Sequence, residues 1–166
     1  MNALTQKVQT IQHADSDLLQ LVIFQLGGEE FGVEIMAVQE IIKMPAITAI
    51  PQAPEYVAGV INLRGRIIVV VNLSKKFNIL SSEMNKEYKV IVVELENQVI
   101  GMMVDSVSEV LRIPNTSVDP APGMVASGSS SNYIQGVGKL EDRLLILLDL
   151  RNVLSDHETE ELYQFV

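Results

Sequence analysis

The sequence contains an internal repeat, and this duplication limits the folds that the chain can adopt. A shift of 69 positions brings identical residues of the two halves together, and a shift of 77 does so further along the chain. The clearest matches are Leu26 with Leu95, Gly32 with Gly101, Glu40 with Glu109, Tyr56 with Tyr133, Gly59 with Gly136 and Arg66 with Arg143. A doubled sequence predicts two similar supersecondary units. We expect packing to explain the positions where the copies agree, and function to explain some of those where they differ.

Composition favours β-structure and excludes several classes of function. Apolar residues make up 48% of the chain, Trp and Cys are absent, and Val, Ile, Leu and Met must fill the core. Val and Ile favour pleated sheet, and the lack of Cys excludes disulfides, thiol catalysis and Cys-ligated zinc. The net charge of −9 argues against nucleic-acid binding. With no signal peptide and no apolar run of about 20 residues, we expect a cytoplasmic protein without membrane insertion.

Hydrophobic patterning divides the chain into about ten short strands separated by regularly spaced turns. Such spacing is typical of all-β barrels and sandwiches. We expect two five-stranded barrels related by a pseudo-two-fold and joined through an apolar layer that covers Ile67–Val71 and Leu144–Leu148. The predicted divisions are a flexible tail at 1–17, a first barrel at 18–85, a second at 86–154 and a short C-terminal helix at 155–166. A capping box, Ser155 with Glu158, predicts the start of that helix.

The sequence offers no complete set of catalytic or metal-binding groups. His13 and His157 lie outside both copies and have no neighbours at the spacing of metal ligands. Asp105 stands in a loop that lacks the glycine and the partner aspartate of an aspartic protease. No phosphate-binding glycine loop or calcium loop is present. We therefore expect no enzyme, no cofactor and no metal, and we keep a small β-barrel enzyme and an acidic metabolite-binding barrel as alternatives.

The two copies differ most clearly at one hairpin tip. Arg64 in the first copy is opposed by Glu141 in the second, so that the charge is reversed at equivalent places. Exposed turns drift freely, and this alone can explain the difference. The functional alternative is that Arg64 marks a docking face, because the planar guanidinium is favoured at protein interfaces.

Three motifs resemble those of CheW-like domains, in the family's order and over about Leu18 to Leu154. They are Phe31–Ile42, the segment from Gly59 to Leu73 with its Asn62–Arg66 tip, and Gly136–Leu150. The resemblance implies SH3-like barrels and a non-enzymatic adaptor that couples methyl-accepting chemoreceptor tips to the regulatory domain of the histidine kinase CheA in bacterial chemotaxis. A CheW-like scaffold of another array, such as one for pilus motility, is the alternative. The length predicts a stand-alone member of the family, without a kinase or receiver domain.

The same resemblance implies a set of partner-binding residues. Val38, Glu40, Gly59 and Arg64 match family positions implicated in these contacts, and Glu40 is expected to pair with Arg64. Because Glu109 faces a copy that carries Glu141, we expect this pair only in the first half. A groove at the barrel junction, lined by Ile35, Val38, Val104 and Val107, is expected to receive the helical hairpin of a receptor.

Overall fold

The computed structural model describes residues 18–80, 87–95, 97–120 and 133–154. The tail predicted at 1–17 and the helix predicted at 155–166 lie outside the described residues.

Strands dominate the described residues, so the predicted all-β class is confirmed. The strands are β1 (Leu18–Leu26), β2 (Glu29–Glu34), β3 (Val38–Lys43), β4 (Val57–Leu63), β5 (Arg66–Asn72), β6 (Lys89–Leu95), β7 (Gln98–Val104), β8 (Ser106–Pro114), β9 (Val118–Asp119), β10 (Ile134–Leu140) and β11 (Arg143–Leu148). Two four-residue helices, α1 (Leu73–Lys76) and α2 (Leu150–Val153), follow β5 and β11. No helix in the described parts of the chain has the length and hydropathy needed to span a bilayer.

The two sheets are internal copies of each other. One sheet has the order β8-β1-β2-β11-β10-β9 and the other has the order β3-β6-β7-β5-β4. Replacing each strand by its counterpart in the repeat converts one order into the other, apart from the short β9. Even the register repeats, because Gly32 pairs with Leu147 in one sheet and its counterpart Gly101 pairs with Val70 in the other. The duplication seen in the sequence is therefore a pseudo-two-fold of the fold.

The hydrogen bonding does not follow the predicted seam between residues 85 and 86. One sheet combines β1 and β2 with β8 to β11, and the other combines β3 to β5 with β6 and β7. A 3-10 turn at Ile35–Ala37 carries the chain from one sheet into the other instead of returning it along β2. The opening hairpin of each copy is thus exchanged, so that contiguous halves do not form separate barrels. Among the described residues, no ladder joins the edge strands into a closed barrel.

Three apolar clusters account for the burial of both faces of the central strands. The largest lies between the sheets and includes Phe24, Val69, Val71 and Ile100. The other two lie on the far side of each sheet, around Leu145 and Leu147 in one and around Ile68 and Val70 in the other. Alternate residues of β5 and β11 therefore enter different clusters, as the period of two requires. The shared layer expected over these two strands is confirmed, although their first apolar residues, Ile67 and Leu144, remain exposed.

Candidate functional site

The Glu40–Arg64 pair links the two edges of one sheet. Glu40 lies in edge strand β3, whereas Arg64 forms the turn between β4 and β5 at the opposite edge. Arg64 Nη1 donates to Glu40 Oε1 at 3.1 Å, and Nη2 donates to Oε2, giving a two-pronged contact. The sheet must therefore curl enough to bring its edges together at this end.

Local turn chemistry positions Arg64. Its φ of 50° is left-handed, as is that of Gly65 at 87°, which is the backbone of a tight two-residue hairpin turn. Asn62 Oδ1 accepts a hydrogen bond from Gly65 N at 2.9 Å and closes the turn. The guanidinium is thus carried on a short, well-defined tip.

The pair is charged and accessible. The hydrogen bond from Arg64 lowers the pKa of Glu40 from its ordinary 4.5, and the hydrogen bond to Glu40 raises the pKa of Arg64. The Arg64 side chain is 71% exposed and that of Glu40 is 29% exposed. Because water and salt screen an exposed ion pair, its value lies more in presenting a fixed charge pattern than in stabilising the fold.

The second copy builds a different pair: Glu109 contacts Arg143 and not the tip residue Glu141, which agrees with the expectation that the tip pair forms in the first half alone. Glu109, the counterpart of Glu40, accepts from Arg143 Nη2 at 2.5 Å, and Arg143 Nη1 lies 3.4 Å from Glu30. The hydrogen bond to Glu109 raises the pKa of Arg143. Arg143 is the counterpart of Arg66, and its long side chain reaches Glu109, which the acidic tip residue Glu141 cannot neutralise. The tip of the second copy consequently leaves Glu141 and Asp142 exposed.

Val38 and Gly59 differ from the exposed Glu40–Arg64 pair because they are packed into the fold. Val38 is half-buried at the start of β3 and packs against the central cluster. Gly59 is buried, and a Cβ there would lie 2.3 Å from the carbonyl oxygen of Thr48. Gly59 therefore allows a close backbone approach, and any effect it has on a partner passes through the fold. The roles of Val38, Glu40, Gly59 and Arg64 in partner binding stay predictions.

The residues expected to line a groove do lie at the junction of the sheets. Ile35, Val38 and Val107 are partly buried against the central cluster, and Val104 is a buried member of it with 1% exposure. Val104 thus belongs to the core, whereas the other three reach the surface.

Sequence reasoning missed a set of exposed apolar residues that recurs in both copies. Ile41 and its counterpart Val110 are 39% and 54% exposed, and Ile67 and its counterpart Leu144 are 53% and 63% exposed. The signal in the sequence is an apolar residue at both equivalent positions, a pattern that buried positions share. Each sheet therefore presents apolar side chains outward at the same two places.

No metal centre is formed by the described residues: within 18–80, 87–95, 97–120 and 133–154, no three His, Cys, Asp or Glu side chains come together to hold an ion. The described residues present a charged tip and repeated exposed apolar side chains on a duplicated β-structure. They define a duplicated β-sheet protein that carries an ion pair and exposed apolar side chains on its surface.

The comparisons with known proteins identify the family. The model of the CheW-like domain matches residues 20–158, and the chain belongs to that family. The chemotaxis protein CheW of Helicobacter pylori is 34% identical over 86% of this chain and 86% of its own length. The CheW of Klebsiella aerogenes is 37% identical over 84% of this chain and 83% of its own length.

A solved structure supports the same assignment. The scaffolding protein TtCheW from Thermoanaerobacter tengcongensis matches with a TM-score of 0.75 and 35% identity, covering 82% of this chain and 88% of that one. That protein is described as a scaffold, and the relatives from Helicobacter pylori and Klebsiella aerogenes are chemotaxis proteins. The chain is accordingly a chemotaxis scaffold and not an enzyme.

Proposed function

We propose that this protein couples the cytoplasmic tips of methyl-accepting chemoreceptors to the regulatory domain of the histidine kinase CheA. The observation that carries the proposal is the exposed, two-pronged Glu40–Arg64 pair at the position where CheW-like proteins are expected to bind partners. The protein acts in the cytoplasm at receptor arrays, which it reaches through its partners. No cofactor, metal or nucleic acid takes part.

The mechanism is one of assembly, without a chemical step. Arg64 presents a fork of N–H donors at the end of one sheet, and Glu40 fixes its orientation. A pre-oriented Arg loses less conformational freedom on binding a partner carboxylate than a free one does. The partly exposed Ile35, Val38 and Val107 at the sheet junction offer apolar contact for a helical receptor hairpin. Two moderate contacts of this kind on one rigid body raise the effective concentration of kinase near receptor.

The test is a charge swap with a matched control. Arg64→Glu should weaken binding to the CheA regulatory domain or to a soluble receptor-tip fragment roughly tenfold, because Arg is among the side chains whose loss costs most at interfaces. Arg112→Glu, which reverses an exposed charge on β8, serves as the control and should leave both affinities within about twofold. Calorimetric titration of each purified partner measures both.

The combined variant separates the pair from the single charge. If the pair matters only as a unit, Glu40→Arg with Arg64→Glu should recover part of the lost affinity. Unchanged binding of Arg64→Glu to both partners would remove the proposed docking role. Wild-type protein that binds neither, but does bind the receptor and kinase of a pilus-motility array, would assign it to that array instead.

A further inference from the structure

A second surface, unrelated to the Glu40–Arg64 tip, is an open cleft where the chain passes between the sheets. It has a volume of about 650 Å³ and is lined by residues from the end of β2 and the turn between β2 and β3, the end of β6, the start of β10 and the segment at 148–151. None of the four residues expected to line the receptor groove is among the lining residues of the cleft, so the two features differ in the side chains that they present.

The cleft combines an apolar floor with an acidic rim. Leu95, Leu148 and Leu150 are buried beneath it, and Met36 stands at its edge with 91% of its surface exposed. The lining carries three carboxylates against one guanidinium. A flexible, polarisable Met at an open surface is suited to contact with side chains of varied shape. The charge and the floor together fit a segment that is basic and partly aliphatic.

Two of the three rim carboxylates accept hydrogen bonds from different partners. Glu94 Oε2 accepts from Gln39 Nε2 at 2.8 Å. Asp149 caps α2 by accepting from Arg151 N and from Asn152 Nδ2, both at 3.0 Å. Asp149 is thus engaged in the fold, whereas Glu34 and Glu94 are exposed and can meet an incoming cation.

The internal repeat places different residues at the site equivalent to this cleft. The counterpart of Met36 is Asp105, a residue 4% exposed whose Oδ2 accepts from Gly27 N at 2.8 Å. The chain itself covers that equivalent site, because Ile79 packs so closely on Gly27 that a Cβ there would lie 2.3 Å from the Ile79 side chain. Glu34 and Glu94 correspond to the uncharged Met103 and Gln25. Among the described residues, the lining of the cleft is therefore more acidic than the equivalent site of the other copy.

We propose that the cleft is a docking site for a basic, partly aliphatic segment of a protein partner. The end of this chain does not fit the charge, because residues 155–166 carry four carboxylates and no Lys or Arg. A second copy of the chain is disfavoured by the net charge of −9 on each. A Lys or Arg of the partner would lie between Glu34 and Glu94, with its aliphatic neighbours on Met36 and the leucine floor.

The probe for this site is a short capped peptide of Leu and Lys, with a control peptide in which each Lys is Glu. The full chain is titrated with each peptide, and binding is monitored by amide chemical shifts. The signals of Met36, Glu94, Gln135 and Arg151 should move with the Lys peptide and not with the Glu control peptide. Glu34→Gln with Glu94→Gln should weaken binding roughly fivefold or more, because each exposed ion pair contributes a factor of about two to five. The binding should also weaken as salt is raised.

Matched variants distinguish the cleft from general acidity. Glu55→Gln with Glu87→Gln removes the same charge from exposed positions outside the cleft and should change affinity less than about twofold. Met36→Ser should keep the fold, because this side chain is 91% exposed, and should lower affinity for the peptide because the apolar contact is lost.

Three results would overturn the proposal. The first is equal weakening by both pairs of Gln variants, or shifts spread over the whole acidic surface. The second is a free protein in which Met36 already contacts residues 155–166, which would make the occupant the chain's own end. The third is concentration-dependent shifts of the cleft without peptide, which would make it a second copy.

Discussion

Replacement of Gly59 by Ala tests the reasoning about close backbone approach most directly. Gly59 has a φ of 148°, and a Cβ there would lie 2.3 Å from Thr48 O and 2.9 Å from Ile47 Cγ1. Two penalties add: backbone strain of about 1–3 kcal/mol for a side chain at this φ, and overpacking of about 1–3 kcal/mol. The expected loss is about 2–6 kcal/mol in the free energy of unfolding.

The repeat and the neighbouring turn supply variants that isolate each penalty. Gly136, the counterpart of Gly59, has no left-handed φ, and its Cβ would lie 2.6 Å from Asp119 O, so Gly136→Ala tests crowding alone. Gly65 has a φ of 87° and no atom within 4 Å of its Cβ position, so Gly65→Ala tests strain alone. We expect Gly59→Ala to cost about as much as the other two together.

The measurement is urea unfolding followed by far-ultraviolet circular dichroism, with thermal melts beside it. For a chain of this size, about 2–6 kcal/mol corresponds to a fall in melting temperature of about 6–20 °C. A Gly59→Ala variant that loses less stability than Gly136→Ala would refute the assignment of strain to this position. A partner affinity lost in proportion to stability would show that Gly59 acts through the fold, as its burial implies.

Three further predictions concern the pair, the buried aspartate and the aromatic stack. Arg64→Gln should raise the pKa of Glu40, because the pKa is lowered mainly by the hydrogen bond from Arg64. The contribution of the pair to stability is complete above the ordinary pKa of 4.5 and is lost as pH falls below it. A carbon-13 titration of the Glu40 carboxyl that gives the same pKa in the variant and the wild type would contradict the contact. Asp105→Ala should cost about 1–3 kcal/mol, because it leaves the Gly27 N–H without its 2.8 Å acceptor, and hydrogen exchange at Gly27 should quicken; unaltered exchange would count against the bond. Phe77→Ala should cost about 2 kcal/mol or more, since its ring stacks on Tyr133 at 4.4 Å and on Phe31 at 6.4 Å; an unfolding midpoint equal to that of the wild type would show that the stack adds nothing.

Local elements were predictable because their signals lie within a few residues. The apolar pattern predicts short strands separated by turns, and the structure forms them, as in β1 (Leu18–Leu26) and β2 (Glu29–Glu34). Helix α1 begins at Leu73, directly after β5. Its cap is Asn72, whose counterpart Asp149 caps α2. Such features depend on backbone preference and near neighbours.

The candidate site was only partly predictable. The Glu40–Arg64 contact was expected from the family resemblance, and the structure forms it. The Arg143–Glu109 contact was not expected, because matching the repeat by position pairs Glu109 with the tip residue Glu141. A side chain as long as Arg reaches from two positions away, and a sequence comparison does not contain that reach.

The sequence by itself determined that the fold is built twice from short apolar strands, because periodicity and turn residues are written into each copy. Only the tertiary structure decided that the opening hairpins exchange between sheets. It also decided that Ile79 packs on Gly27 at one junction, while the described residues of the other junction line an acidic cleft. The physical reason is that strand pairing over long distances is chosen by the burial of both faces at once, which no local stretch of residues can specify.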